Sequence, residues 1–250
     1  MRTIVKTMLS SVGYKLVLSN SIPPTPRELN PDVTDAEWET WQLVEPYTMT
    51  SLERVLAAIR AVTHISENAI PGDIVECGVW RGGSSMAMAS TLKRLRETSR
   101  RLFLFDTYEG MTPPTRDDVD LRGSKASNLL ENSRTADWVV ACASLEDVHA
   151  NMTKVGYGNV EYVKGPVEET IPERAPDSIS ILRLDTDWYT STKHELEHLY
   201  HRLSPGGLLI IDDYGHWQGV RQATDEYFSA LGSPVLLHRI DYTGRIAVKP

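Results

Sequence analysis

Asp73-Ile-Val-Glu-Cys-Gly-Val-Trp-Arg-Gly-Gly83 is the stretch on which the reading of the whole chain turns. Ile74 and Val75 are β-branched and apolar, as at the end of a buried strand, and Glu76 closes that strand. Gly78, Gly82 and Gly83 make a turn without bulk. Ser84 then opens a segment, Ser85 to Glu97, free of Pro and Gly and rich in good helix formers. Strand, acid, glycine turn and helix in that order bring backbone N–H groups against a ligand at the carboxyl edge of a parallel sheet.

The alternation continues outward. Upstream, Thr50-Ser-Leu-Glu53 reads as a capping box before the apolar face Leu52, Val55, Leu56, Ile59 and Val62. Downstream, strands are predicted at Arg101–Asp106, Val160–Val163, Ser178–Asp185 and Leu208–Asp212. Helices are predicted at Ser144–Val155, Thr190–Leu203 and Gly219–Leu231. Pro205-Gly-Gly207 reads as the turn into the fifth strand. Pro234–His238 and Arg245–Lys249 flank Asp241-Tyr-Thr-Gly244 as an antiparallel hairpin. The pattern predicts an α/β fold: a doubly wound, mostly parallel, seven-stranded sheet ending in that hairpin. Residues 1–44 read as an N-terminal helical extension or lid, with an apolar face from Ile4 to Val17, a stiff linker at Ser21–Pro26 and an acidic helix near Trp38 and Trp41. Residues 45–250 form the main domain, and the polar, proline-marked run 107–124 is a long loop.

Bulk properties narrow the function. A chain of 250 residues, 41% hydrophobic and 24% charged, suits one large globular domain. A net charge of −8 argues against a nucleic-acid binder. The two cysteines, Cys77 and Cys142, are too few for a disulfide scaffold. No apolar run reaches the length of a membrane span, and no signal peptide is evident, so the expected compartment is the cytoplasm.

The glycine spacing, G-x-x-x-G-G, is not the dinucleotide fingerprint. An acid two residues before the first glycine would repel a pyrophosphate and suits a cationic ligand. S-adenosylmethionine, with a sulfonium, an amino acid head and no phosphate, meets that condition. Glu76, Asp106, Asp185 and Asp212 each end a predicted strand, so they gather at one rim of the sheet. Asp106 stands where doubly wound folds place the carboxylate that takes ribose hydroxyls, and Gly165 would lie beside the adenine. Asp185-Thr-Asp187 and Asp212-Asp213 terminate neighbouring strands, and so much like charge calls for a hard divalent cation. Mg²⁺ fits oxygen ligands, with Mn²⁺ or Ca²⁺ as alternatives. Nearby His216 is a candidate for substrate binding or proton transfer. Trp80 is placed to cover the methionine part of the cofactor or to pack. His194, His198 and His201 share a helical face without other ligands, beside Glu195 and Glu197, which read as solvated.

Taken together, Glu76-Cys-Gly-Val-Trp-Arg-Gly-Gly83, Asp106-Thr-Tyr-Glu-Gly110, Leu182-Arg-Leu-Asp-Thr-Asp-Trp-Tyr189 and Leu203-Ser-Pro-Gly-Gly-Leu-Leu-Ile-Ile-Asp-Asp-Tyr214 resemble the macrocin O-methyltransferase (TylF-type) family of class I methyltransferases. Tyr47-Thr-Met-Thr-Ser51 matches its pattern too, and the likeness runs from about residue 45 to 230. The resemblance implies a Rossmann-like fold, a homo-oligomer, and Mg²⁺-dependent methyl transfer from S-adenosylmethionine to a hydroxyl, typically on a sugar of a secondary metabolite. By motif, it assigns Glu76, Gly78, Trp80, Arg81, Gly83 and Ser84 to the amino acid end of the cofactor. Asp106 with Thr107 goes to its ribose, and Met49 and Thr50 to a cover over the methionine part. Asp185, Asp212 and Asp213 match the metal ligands. The metal geometry is similar to that of catechol O-methyltransferase, but Trp188 replaces the basic Lys, which leaves Asp185 or Asp187 as the base. Competing readings are a metal-dependent glycosyltransferase using Asp185-Thr-Asp187 as a D-x-D, a non-catalytic binding module, and a nicotinamide oxidoreductase.

Overall fold

A computed structural model describes residues 25–132, 141–232 and 234–250. The described chain divides into a unit ending at Trp38 and a larger one, Glu39–Pro250. The first contains α1 (Pro26–Leu29), whose capping box joins Thr25 and Glu28. Arg27 there bonds Asp35 at 2.7 Å and lies over the Trp38 ring. Helix α2 spans Asp35–Val44 and runs into a 3₁₀ turn, Glu45–Tyr47. The apolar face expected from Ile4 to Val17 lies outside the described residues.

The second unit alternates as the apolar runs predict: α3 (Leu52–Glu67), β1 (Asp73–Cys77), α4 (Gly83–Arg94), β2 (Leu102–Asp106), α5 (Ala126–Glu131), α6 (Leu145–Val155), β3 (Val160–Lys164), α7 (Val167–Thr170), β4 (Ile179–Leu184), α8 (Tyr189–Leu199), β5 (Leu203–Ile211), α9 (Gln218–Leu231), β6 (His238–Arg239) and β7 (Arg245–Val248). The seven strands form one sheet in the order β3-β2-β1-β4-β5-β7-β6. Strands β1 to β5 are parallel and β7 is antiparallel to both neighbours, the doubly wound sheet with a terminal hairpin that the sequence predicts. Helices α3 and α4 pack together, as do α8 and α9. Val75, Cys77, Phe103, Phe105, Leu182 and Leu184 share a buried core with Leu196, Leu199 and Val220 of α8 and α9. With a side-chain period of two, Glu76 and Arg183, which are Cα partners across β1 and β4, point to the opposite face. There Glu76 meets Ser85 of α4, and Arg183 meets Asp212, whose other oxygen accepts from Arg54 of α3.

Local departures from expectation have local causes. Ser51, not Thr50, caps α3 by accepting from the Arg54 N–H, because the Thr50 hydroxyl is engaged with Thr48. The Pro205-Gly-Gly207 turn lies inside β5: pairing with β4 jumps from Ile179–Leu203 to Ile181–Leu208, so the turn is a bulge in a longer strand. Helix α5 rises out of the loop region without an apolar period to announce it. Glu195, read as solvated, faces inward on α8 and is fully buried, its carboxylate accepting from the Thr186 hydroxyl at 3.0 Å.

Gly78 is the glycine on which the sheet edge depends. Its φ is +81°, and a Cβ there would stand 2.0 Å from the Asp185 carbonyl oxygen, whose own residue donates its N–H to Cys77 at 2.8 Å. Gly123 also has positive φ, +89°, but open space around it. Replacing Gly123 with Ala should therefore cost about 1–2 kcal/mol, the left-handed backbone alone. Gly78→Ala must add a backbone clash and should cost clearly more, roughly 3 kcal/mol or above. Urea unfolding of the two variants measures the difference.

Candidate active site

Strand order places the site. The sequence of strands reverses between β1 and β4, the crevice where open α/β sheets bind ligands. The carboxyl ends of β2 and β3, with Asp106 and Gly165, lie on one side of β1. Those of β4 and β5, with Asp185 and Asp212, lie on the other. One cavity covers the whole edge. Its walls include Met49, Thr50, Gly78, Trp80, Gly83, Ser84, Asp106, Thr107, Gly165, Asp185, Asp187, Asp212, Asp213 and His216. Thus nearly all the residues singled out from sequence share one space.

Glu76 and Arg81 do not line it. The Glu76 carboxylate, 1% exposed, is taken by Arg183 Nη1 at 2.5 Å and by the Ser85 hydroxyl. Arg81 reaches away, donating to Asp147 at 3.2 Å and to the Pro46 carbonyl at 3.1 Å. It clamps the segment before Met49 against α6. The reason is positional: Glu76 is inside β1 and faces helix α4, and Arg81 projects outward from the turn.

Asp106 serves the turn as well as the cavity. Its Oδ2 accepts the N–H groups of Val79 at 2.7 Å and Trp80 at 3.2 Å, and its Oδ1 that of Tyr108 at 2.7 Å. The close spacing of Gly83 against the Tyr47 carbonyl, where a Cβ would stand at 2.6 Å, brings the 47–50 segment onto the same turn. Trp80, Tyr108 and Asp187 all hold positive φ, of 47°, 54° and 66°. Backbone strain of this kind, about 1–3 kcal/mol per residue, persists where surrounding contacts enforce it.

On the other side of β1, carboxylate oxygens of Asp185, Asp187 and Asp213 lie within 4.8 Å of one another. Burial, then the repulsion of neighbouring carboxylates, pushes Asp187 up to about 7. Burial likewise raises Asp185, despite Arg183, and Asp213 far above the usual carboxylate range. Such a cluster is costly unless its charge is met, and an all-oxygen donor set fits a hard divalent cation. Asp187 is oriented by Trp217 Nε1 at 2.9 Å. Asp212, expected among the metal ligands, is turned differently: it accepts from Arg183 Nη2 at 2.7 Å and from Arg54 Nη1. Among the described residues this acid group is the one candidate cation cluster, and His194 and His198 of α8 and His201 beyond it form none. His194 and His198 instead stack at 4.1 Å and bond backbone carbonyls.

The sequence reading missed Arg54, Arg183, Trp217 and Glu195. A signal existed for Arg183: a lone charge in the apolar run Ile179–Leu184 requires buried partners. Arg183 is 3% exposed and bonds Glu76, Asp185 and Asp212, which hold it protonated against the cost of burial. The long loop is ordered over the same edge. Asp118 accepts the Tyr189 N–H at 2.7 Å, Trp188 Nε1 donates to the Thr112 carbonyl at 2.8 Å, and Asp120 bridges to Trp217. Burial lowers His216, which packs edge-on to Trp217 with ring centres 5.0 Å apart.

Comparison with known proteins identifies the family. The family model for macrocin-O-methyltransferase (TylF) matches residues 28–248. The chain is 35% identical over 200 residues to 8-demethyl-8-(2,3-dimethoxy-alpha-L-rhamnosyl)-tetracenomycin-C 4'-O-methyltransferase of Streptomyces olivaceus, covering 79% of this chain and 74% of that one. It is 31% identical over 200 residues to mycinamicin III 3''-O-methyltransferase of Micromonospora griseorubida, covering 79% and 76%. The solved structure of the O-methyltransferase NovP superposes with a TM-score of 0.72 at 29% identity, covering 81% of this chain and 82% of that one. These matches leave no place for the glycosyltransferase and nicotinamide readings: the chain belongs to the macrocin-O-methyltransferase (TylF) family and is an S-adenosylmethionine-dependent O-methyltransferase.

Proposed function

We propose that the chain methylates a hydroxyl on the sugar of a glycosylated secondary metabolite, with a divalent cation, Mg²⁺, at the acid cluster. The observation that carries the proposal is a single cavity, one end lined by the glycine turn and Asp106 and the other by Asp185, Asp187 and Asp213. The relative named for a rhamnosyl tetracenomycin, with a sugar in its printed substrate, supports the acceptor class.

In this reading Gly78, Trp80, Gly83 and Ser84 hold the amino acid end of S-adenosylmethionine. Asp106 and Thr107 meet its ribose, Gly165 flanks its adenine, and Met49 and Thr50 close over the methionine part. Glu76 and Arg81 support the turn and the 46–47 segment from outside the cavity. Asp185 and Asp213, common to the motif match and to the acid cluster, hold the cation, with Asp212 and Asp187 flanking them. When bound, the sulfonium supplies an electrophilic methyl and the cation supplies polarisation of a nearby hydroxyl. Asp187 is the better proton acceptor of the two candidates, because Asp185 is ion-paired with Arg183 whereas Asp187 is bonded to the neutral Trp217 indole N–H and to Asp213 rather than to a cation. As the acceptor oxygen takes the methyl and the carbon–sulfur bond breaks, its proton passes to the Asp187 carboxylate. Loop residues Met111 and Thr112 and the rings of Trp217 and Tyr242 wall the acid end, where an acceptor would lie. Holding both reactants in line supplies much of the rate gain.

Three outcomes test this assignment. Treatment with EDTA should abolish methyl transfer and Mg²⁺ should restore it; activity indifferent to chelation would exclude the cation. Asp187→Asn should bind S-adenosylhomocysteine within about twofold of wild type in calorimetry yet lose roughly 10²-fold or more in kcat. Asp106→Ala should weaken S-adenosylhomocysteine binding about tenfold or more, because it removes hydrogen bonds to a charged acceptor. Undiminished affinity would remove Asp106 from the cofactor site.

A further inference from the structure

Two guanidinium groups are embedded in the acid end of the cavity, and they do different things. Arg183 lies within the sheet, 3% exposed, and bonds Glu76 at 2.5 Å, Asp185 at 2.8 Å and Asp212 at 2.7 Å. It is part of the floor. Arg54 comes from the first turn of α3 and stands in the cavity wall with two separate arms. Its Nε is 3.0 Å from Asp241, and its Nη1 bonds the Asp212 carboxylate oxygen that Arg183 leaves open. The Asp241 arm is firmly anchored. That carboxylate also accepts the Ser51 hydroxyl at 2.8 Å and the N–H groups of Thr243 at 2.9 Å and Gly244 at 2.7 Å. The Asp212 arm ends on a single oxygen beside Asp213.

We propose that Arg54 is a positioning residue that competes with the divalent cation for the Asp212 carboxylate, and so sets how tightly the acid cluster holds the cation. The inference rests on the divalent cation of the proposed function. Without a cation, Arg54 meets the charge of Asp212 and draws its side chain away from the triad of Asp185, Asp187 and Asp213. When a cation binds, its positive charge opposes that of Arg54 across the same carboxylate, and Asp212 can turn toward Asp213 only by giving up the Arg54 arm. Arg54 remains tethered to Asp241 at that point, so its return restores the resting state. Because Ser51 caps α3 and bonds the same Asp241, the exchange is coupled to the 47–51 segment that borders the turn at Gly83.

The test uses the full chain and Mn²⁺ as the probe, in titration calorimetry without cofactor and in thermal melts with and without Mn²⁺. Arg54→Gln removes the competing charge. It should bind Mn²⁺ at least roughly tenfold more tightly than wild type, a small part of the bare Coulomb repulsion between a unit charge and a dication a few ångströms apart at an effective dielectric near 20. Its metal-free form should melt below wild type, and Mn²⁺ should raise its melting temperature by more than it raises that of wild type. Arg54→Lys keeps the charge with one arm fewer and should stay close to wild type in Mn²⁺ affinity, which also serves if the Gln variant does not fold. A natively folded Arg54→Gln protein that binds Mn²⁺ no better than wild type overturns the competition while leaving the cation site standing. So does an Arg54→Lys protein that gains the affinity expected of the neutral variant. Absence of Mn²⁺ binding by wild type itself overturns both the cation site and the inference.

Discussion

A positive charge buried in a parallel sheet governs the arrangement of the cavity floor. Arg183 stands in β4 opposite Glu76 of β1, one strand away from the end of β5, and its guanidinium is shared by Glu76, Asp185 and Asp212. An isolated buried charge would cost several kcal/mol, so the three carboxylates are held to it as firmly as it is held to them. The consequences run outward on the same face of the sheet. Glu76 reaches Ser85 in α4, and Asp212 reaches Arg54 in α3. Helices α3 and α4 and the acids at the ends of β4 and β5 are thus joined through one side chain.

The second constraint is backbone proximity. Gly78 and the Asp185 carbonyl approach so closely that the turn at the end of β1 and the acid-bearing end of β4 cannot move independently. In the proposed function the methyl donor and the acceptor hydroxyl lie on either side of β1 and need to meet within a small distance, and this contact sets the two halves of the cavity at fixed separation. Positive φ at Trp80, Tyr108 and Asp187 shows the same economy of space on the rim. The loop over the acid end is held by side-chain bonds of Asp118 and Trp188 and by a backbone bridge between Asp120 and Trp217, which fasten it to the starts of α8 and α9.

Much of this could be read before any coordinates. Five apolar runs separated by helical segments imply a parallel sheet, and the acids that end those runs must share a rim because parallel strands share a direction. Asp106, Asp185, Asp212 and Asp213 reach the cavity for that reason. Where the reading slipped, a tertiary contact had altered a local rule. Thr48 engages Thr50 and moves the helix cap to Ser51. The bulge at Pro205–Gly207 lengthens β5 past its apolar run. Glu195 has no sequence feature that separates it from solvated Glu197, yet helix rotation buries one against Thr186.

By itself the sequence determined the topology, the edge of the sheet that carries the cavity, and the pairing of a glycine turn with an acid group, since all three follow from periodicity and strand direction. Which side chain faces which partner was decided only in the folded state. Glu76 and Arg81 belong to the motif but not to the cavity wall, and Asp212 matches the family's metal motif but stands outside the acid group, held by two arginines. The physical reason is that Arg54 and Arg183 come from distant parts of the chain and find their carboxylates through packing and register, neither of which leaves a mark on local sequence.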